Sequence, residues 1–524
     1  MDRRTWLVRR NEIYHYFEKT SWVLLCVLMA DCCITGAGRW LLLGPLSFRM
    51  GVLVATLLAF IPVLVKNFRN LLRNKLIWTV GLFLLWIVVA AVCGLISQNS
   101  LSLMLSDLKG FCYFVLLPVA VCLLNSKKRI HILMKVMMYA STLCGFILIF
   151  HLITYIWFPK IFGPLYEWGL TQQFSAISGI SPTIPRLFFR SSAYFLVSCS
   201  FATYFQVVEK KINVLYSMIT ALGLFSLVIS YTRSLYLGVG VAALTLVVAL
   251  AVCISREKQT QFWMHLITSV VAMCLMFVLI GAPTKSDYIG YAISRTLVTF
   301  DQPDASVTSN QTSAILSAQQ TTAVLSDPAT IETSSEQVTS ELLTETETSQ
   351  TETSQTEPSQ TEPSQTEPSQ TEPIVSETLS SPQPPNADKY QHLTQKSDQL
   401  RAKVLDSLIQ MIKASPIIGN GLGASIGWRD LNEYFYLDLW MKAGLIGVLL
   451  YFLPTAYIVG RFFRSKRSVR PLLIAWLCVL FGFMSFSFFN PYMNASLGIL
   501  YYCCVIGVSN ACFVDKETNE EDQP

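Results

Sequence analysis

The chain is expected to be an all-α polytopic membrane protein with about twelve transmembrane helices and one large outside loop. Three observations predict this. Only 14% of its 524 residues are charged and 52% are hydrophobic, whereas a soluble domain carries about 25% charged residues. The apolar residues fall in runs of roughly 18 to 25, the length that crosses a bilayer as a helix. The basic residues gather in alternate gaps between those runs.

The runs lie at about 21–38, 48–65, 76–97, 110–124, 132–157, 187–208, 213–231, 234–254, 262–282, 434–460, 471–489 and 494–513. The fourth is short and the tenth is long. No secretory signal peptide is expected, because 20 residues precede the first run and no small-residue cleavage site follows it. Orientation follows from the positive-inside rule. With the N-terminus inside, the inside segments hold Arg3, Arg4, Arg9, Arg10 and Lys19, then Lys66, Arg69, Arg73 and Lys75. Lys127, Lys128 and Arg129 follow, then Lys210, Lys211, Arg256 and Lys258, and finally Arg461, Arg464, Lys466, Arg467 and Arg470. The other gaps are poor in both residue types. An even span count then places both termini in the cytoplasm.

The net charge of +5 is therefore spread over membrane-facing loops and is not a nucleic-acid signal. Most of the 14 cysteines lie inside apolar runs, where they act as small apolar residues. No CxxC pair or Cys/His cluster has ligand spacing, so neither a zinc site nor a structural disulfide is expected.

Four regions result: a membrane bundle of about nine spans (1–282), an extracytoplasmic loop (283–432), three further spans (433–513) and a cytoplasmic tail (514–524). An earlier outside loop, about 158–186, is rich in aromatic residues and turn formers, ending in SGISPTIPR. In the large loop the pentapeptide TETSQ or TEPSQ occurs five times in tandem from Thr346, with a partial sixth copy ending at Pro373. Such residues bury too little apolar area to offset ordering entropy, so about 301–386 is expected to be disordered. The tract is either a tolerated slippage product or a spacer. An amphipathic helix is expected at about 400–412, with Val404, Leu405, Leu408 and Ile412 on one face and Pro416 ending it. Its apolar face points to the membrane surface or to the bundle.

The polar chemistry is sparse and concentrates at the outer side. Arg233, in ISYTRSLYLGVG, sits at a tight turn between two runs. It either snorkels to lipid headgroups or clamps an anion through its planar fork of donors. Arg186 and Arg190, in SPTIPRLFFRSSAYF, are four residues apart and would share one face of a helix. With Arg233 they would make a positive pocket at the depth of a lipid diphosphate. Gly419, Gly421 and Gly423 form GNGLG, which lacks the Lys-Ser/Thr of a nucleotide loop. A tight turn or a close backbone approach to a ligand explains them. Glu433 opens the tenth run, as a helix-terminus carboxylate or as a general base. Asp438 can pair with Lys442 one turn on. Trp157, Tyr166, Trp168, Trp428, Tyr434 and Tyr436 make an interfacial belt or stack on sugar rings.

Taken in order, the Thr232–Arg233 turn, the large loop, the helix from Arg401 into SPIIGNGLG, and YLDLWMKAGLIG resemble the O-antigen ligase / O-antigen polymerase superfamily of bacterial membrane glycosyltransferases. The motif resemblance covers about 225–460, and the span layout extends it over the chain. Ten residues before Gly444, the family's Asn falls on Tyr434 and its His or Asp on Glu433. This departure from the His-Asn pattern, which the ligases follow most strongly, leans toward a polymerase. The resemblance implies a GT-C-like fold in the bacterial plasma membrane and a metal-independent reaction without cofactors. Undecaprenyl diphosphate would be the leaving group. It implies that Arg233, with Arg186 or Arg190, holds the diphosphate and that Glu433 positions or deprotonates the acceptor hydroxyl. The helix with Arg401, the three glycines and Tyr436 would contact the sugars. The implied partners are an undecaprenyl-diphosphate-linked oligosaccharide, membrane lipids and other polysaccharide-assembly proteins. Two competing classes are a lipid-linked oligosaccharide flippase, which should show repeated halves that this chain lacks, and a cell-wall interaction protein working through the repeats.

Overall fold

A computed structural model describes residues 3–36, 42–43, 46–172, 174–179, 185–209, 213–253, 256–284, 286–297, 387–427 and 433–514. The repeat tract, Trp428, Arg429 and Asp430 lie outside these residues. The chain is a helical membrane protein. Among the described residues, seven helices are long and apolar enough to cross a bilayer.

The first half comprises α1 (Arg3–Thr35), the two-residue strands β1 (Leu42–Leu43) and β2 (Leu46–Ser47), α2 (Phe48–Leu72), α3 (Lys75–Ile96), α4 (Leu101–Phe111), α5 (Leu117–Leu123) and α6 (Lys127–Trp157). Polar caps start several of these helices. Ser47, Asn74 and Ser126 accept the backbone N–H of Met50, Leu76 and Arg129, satisfying donors that the first turn leaves open. Asp31 on α1 pairs with Arg49 on α2 at 2.8 Å, and Arg49 also donates to Thr35 at 2.6 Å. The pair is buried, so each charge offsets the desolvation of the other.

The segment predicted as the aromatic outside loop is ordered differently. It folds as α7 (Pro159–Thr171) and an antiparallel hairpin, β3 (Ser175–Gly179) with β4 (Pro185–Phe189). This corrects the placement of Arg186 and Arg190 on one helix. Arg186 lies on β4 and Arg190 follows it in a turn. The cause is visible in PRLFF, where Pro185, Leu187 and Phe189 are buried and Arg186 and Phe188 are half-buried. That is the two-residue period of a strand. The next helix, α8 (Phe195–Val208), accordingly begins well after residue 187.

Beyond it come α9 (Val214–Ile229), α10 (Arg233–Cys253), α11 (Arg256–Thr284) and α12 (Tyr288–Leu297). After the large loop come α13 (Ala387–Ala414), α14 (Phe435–Arg464), α15 (Arg470–Phe486) and α16 (Ser496–Val514). The helix expected at 400–412 is thus the end of a longer one. Its buried residues Val404, Leu408 and Ile412 pack with Met441 of α14, so its apolar face meets the bundle.

Helices α15 and α16 are the most enclosed. Trp476 and Tyr501 stack at 5.3 Å between their centroids, and both are fully buried. Gly238 of α10 and Gly482 of α15 let those two backbones touch, since a Cβ on Gly238 would lie 2.8 Å from the Gly482 carbonyl. Small residues serve this role where helices pack in lipid. By contrast α2, α3 and α11 expose Leu58, Leu85 and Leu279, apolar surface that suits acyl chains. The helices before and after the large loop form one compact unit.

Candidate functional site

The turn between α9 and α10 is held by an unusual backbone. Tyr231 adopts φ 45°, a left-handed conformation costly for a bulky residue. It is fully buried, and its hydroxyl donates to the Tyr288 carbonyl at 3.3 Å. This turn sets Arg233 at the first position of α10. The hairpin brings Arg186 to the same turn, where Nε reaches the Ser230 carbonyl and Nη2 the Thr232 hydroxyl, each at 3.4 Å. Arg190 is half-buried one residue past β4, with its backbone against Gly36 at the end of α1.

A second group assembles at the start of α14. Arg401 Nε donates to Glu433 Oε2 at 3.0 Å. Tyr434 packs edge-on against Phe489, 6.2 Å between centroids. The turn from α15 to α16 joins the two groups, because Asn490 Nδ2 donates to Ser234 Oγ at 2.7 Å. Arg186, Arg233, Glu433 and Arg401 therefore belong to one connected belt at one end of the bundle. Asn490 and Tyr231 were not anticipated from sequence. Asn490 lies in an unremarkable FNPY turn, and a positive φ on tyrosine leaves no sequence signal.

Tyr436 stands elsewhere. It is 7% exposed, and its hydroxyl donates to the Met484 carbonyl at 3.0 Å. Its ring lies among Phe435, Phe452 and Phe488. The residue expected to touch sugar is instead a core contact between α14 and α15.

The three glycines also meet protein. Gly419, Gly421 and Gly423 have φ of 89°, 84° and 77°, accessible to glycine with little strain. A Cβ on Gly421 would collide with the backbone of Gly94, and one on Gly419 with that of Lys442 and Gly444. The expected close backbone approach is thus to α3 and α14. Helix α14, predicted as continuous, breaks at Gly444, with φ 68° and ψ −179°. The freed groups are taken up by the 416–421 segment. Asn420 N–H donates to the Met441 carbonyl at 2.8 Å and Gly421 N–H to that of Lys442 at 3.0 Å. In return Leu445 N–H donates to the Pro416 carbonyl at 3.0 Å. Asn99 clamps the loop by donating to the Asn420 and Leu422 carbonyls.

A buried charge cluster anchors this break. Lys442 Nζ lies 2.7 Å from Asp107 Oδ1 and 2.9 Å from Asp438 Oδ2. Asp107 Oδ2 accepts the Gly423 N–H at 2.9 Å. The Asp438–Lys442 pair follows the helical spacing. Asp107 was missed because the fourth run was started at residue 110, whereas α4 begins at Leu101. Among the described residues no group of three or more His, Cys, Asp or Glu side chains is arranged to hold a metal ion.

Three substitutions separate these roles. Gly421→Ala is expected to cost well over the 1–2 kcal/mol of a left-handed residue, since its methyl also strikes Gly94. The folded peak in size-exclusion profiles should collapse. Gly427→Ala, with φ 81° but nothing within 4 Å of its Cβ, should keep that peak. Glu433→Gln removes a half-exposed ion pair worth about 1 kcal/mol or less. Its melting temperature should hardly move, and a large fall in melting temperature would show that the pair holds the fold instead.

Comparison with known protein families, curated proteins and solved structures finds no match.

Proposed function

We propose that this protein is a membrane glycosyltransferase that polymerises undecaprenyl-diphosphate-linked oligosaccharide units at the outer face of the bacterial plasma membrane. In this reading about twelve helices span the bilayer in a GT-C-like arrangement, with both termini cytoplasmic. The four shorter apolar helices, such as Val214–Ile229, then count as crossings. At 1.5 Å per residue that helix covers about 24 Å, short of a hydrocarbon core of about 30 Å, so the bilayer thins locally or neighbouring loops complete the crossing.

The observation that carries the reading is the belt itself. Arg186 reaches the turn that presents Arg233, and Asn490 ties that turn to the helix start beside Glu433 and Arg401. Guanidinium forks suit a diphosphate, and a carboxylate nearby suits a hydroxyl acceptor. The acceptor oxygen attacks the anomeric carbon while the bond from that carbon to the diphosphate oxygen breaks. The electron pair leaves with undecaprenyl diphosphate, where Arg233 and Arg186 stabilise the developing charge. Glu433 receives or directs the hydroxyl proton, and Arg401 fixes the orientation of its carboxylate.

A broken helix is also a feature of transporters, where unwound backbone coordinates ions. Here the carbonyls of Met441 and Lys442 are hydrogen-bonded by the 416–421 segment, which favours the enzyme. The test is a gel profile of surface polysaccharide in a deletion strain, with and without complementation. Loss of the long ladder, with single lipid-linked repeats still outside, is the expected result. Repeats trapped inside would mean a flippase, and long lipid-linked chains that never reach an acceptor would mean a ligase. An unchanged profile would reject the glycan reading.

A further inference from the structure

A cavity of about 210 Å³ lies far from the arginine belt, lined among others by Tyr14 and Glu18 of α1, Lys66 and Asn67 of α2, and Asn125 after α5. It occupies the opposite ends of α1 and α2 from Gly36 and Ser47. Its charge balance is uneven. Glu18 is engaged by Arg129 at 2.6 Å. Lys66 has no carboxylate within 4.0 Å among the described residues, and its ammonium stands over the Tyr14 ring, 5.4 Å from the centroid. Asn125 accepts from Arg129 through its carbonyl oxygen at 3.5 Å and lines the same cavity as Lys66, with an amide N–H group that can donate. The cavity thus holds one ammonium with no carboxylate within ion-pair distance among the described residues, and a Glu18 carboxylate already held by Arg129.

Its surroundings say what kind of anion would enter. Lys66, Arg69 and Arg73 are exposed; Lys66 and Arg69 share one face of α2 and Arg73 caps its C-terminal end. Toward the middle of the same helix, Leu58, Ile61 and Val65 are exposed. A cation at the end of an exposed apolar stripe matches a headgroup with its acyl chains. We propose that this cavity binds the phosphate of an anionic glycerophospholipid, with Lys66 as the charge that selects it. The site is separate from the glycosyl-transfer reading and does not depend on it.

The test uses the purified full-length protein in detergent with added phosphatidylglycerol or phosphatidylcholine, and counts bound lipid by native mass spectrometry. Phosphatidylglycerol should be retained preferentially. Lys66→Ala should weaken that retention about fivefold, the worth of one basic residue at a membrane surface. Lys66→Arg should preserve it, as should Lys466→Ala, which removes an exposed charge that does not line the cavity. Equal retention by Lys66→Ala and the wild type would overturn the proposal. So would an equal loss in Lys466→Ala, which would make the effect one of net charge. Equal retention of phosphatidylglycerol and phosphatidylcholine, with inorganic phosphate bound in a Lys66-dependent way, would overturn the lipid as the ligand and assign the cavity to the free anion.

Discussion

Lys442→Met is expected to destabilise the protein by about 3–5 kcal/mol, the cost of removing one partner from a buried ion pair. The side chain is 7% exposed and sits between Asp107 and Asp438. Its loss leaves two carboxylates facing each other without a cation. Asp107 also holds the Gly423 N–H, so the damage spreads to the loop that completes the broken helix. A thermal scan in detergent checks this. The double variant Asp107→Asn/Lys442→Met should be less destabilised than the sum of the single effects, with a coupling of about 0.5–3 kcal/mol. Wild-type melting of Lys442→Met would show that the cluster does not hold the break in α14. The location matters for function because Glu433 lies just before this helix, and any shift of the segment from Phe435 to Ala443 moves it.

On the proposed polymerase reading, Arg233→Ala should lower polymer output by about 10²–10³-fold, the range seen when one donor to a developing anion is removed. Arg233→Lys should fall between the two, since it keeps the charge but loses the planar fork. Membrane protein level and melting temperature must be measured alongside, because Arg233 is half-buried beside the strained Tyr231. Full output at normal protein level would remove Arg233 from the site. A matching loss of protein and product would reassign it to the fold.

Part of this site was legible in the sequence. Glu433 and Arg401 are 32 residues apart; Glu433 stands out as a charge at the start of an apolar run, and Arg401 only as the start of the helix that carries the family resemblance. The structure joins them. Arg186 was anticipated near Arg233, and it is, but by a strand. The alternation in PRLFF gives a period of two, while the apolar content of the stretch reads as a helix start. Tyr436 was misassigned because an interfacial aromatic and a core aromatic look alike until neighbours are known. The repeat tract lies outside the described residues.

Composition and run length alone determined that this is a helical membrane protein and placed most of its helices. A bilayer forces every apolar crossing segment to satisfy its own backbone, so the choice is made locally. Which polar groups meet was decided by packing. Asp107 and Lys442 are 335 residues apart, and Gly421 fits only because Gly94 lies against it. The break at Gly444 exists only because the 416–421 segment takes up the hydrogen bonds that the helix gives away. Those contacts join segments distant in the chain, and local periodicity carries no information about which of them will touch.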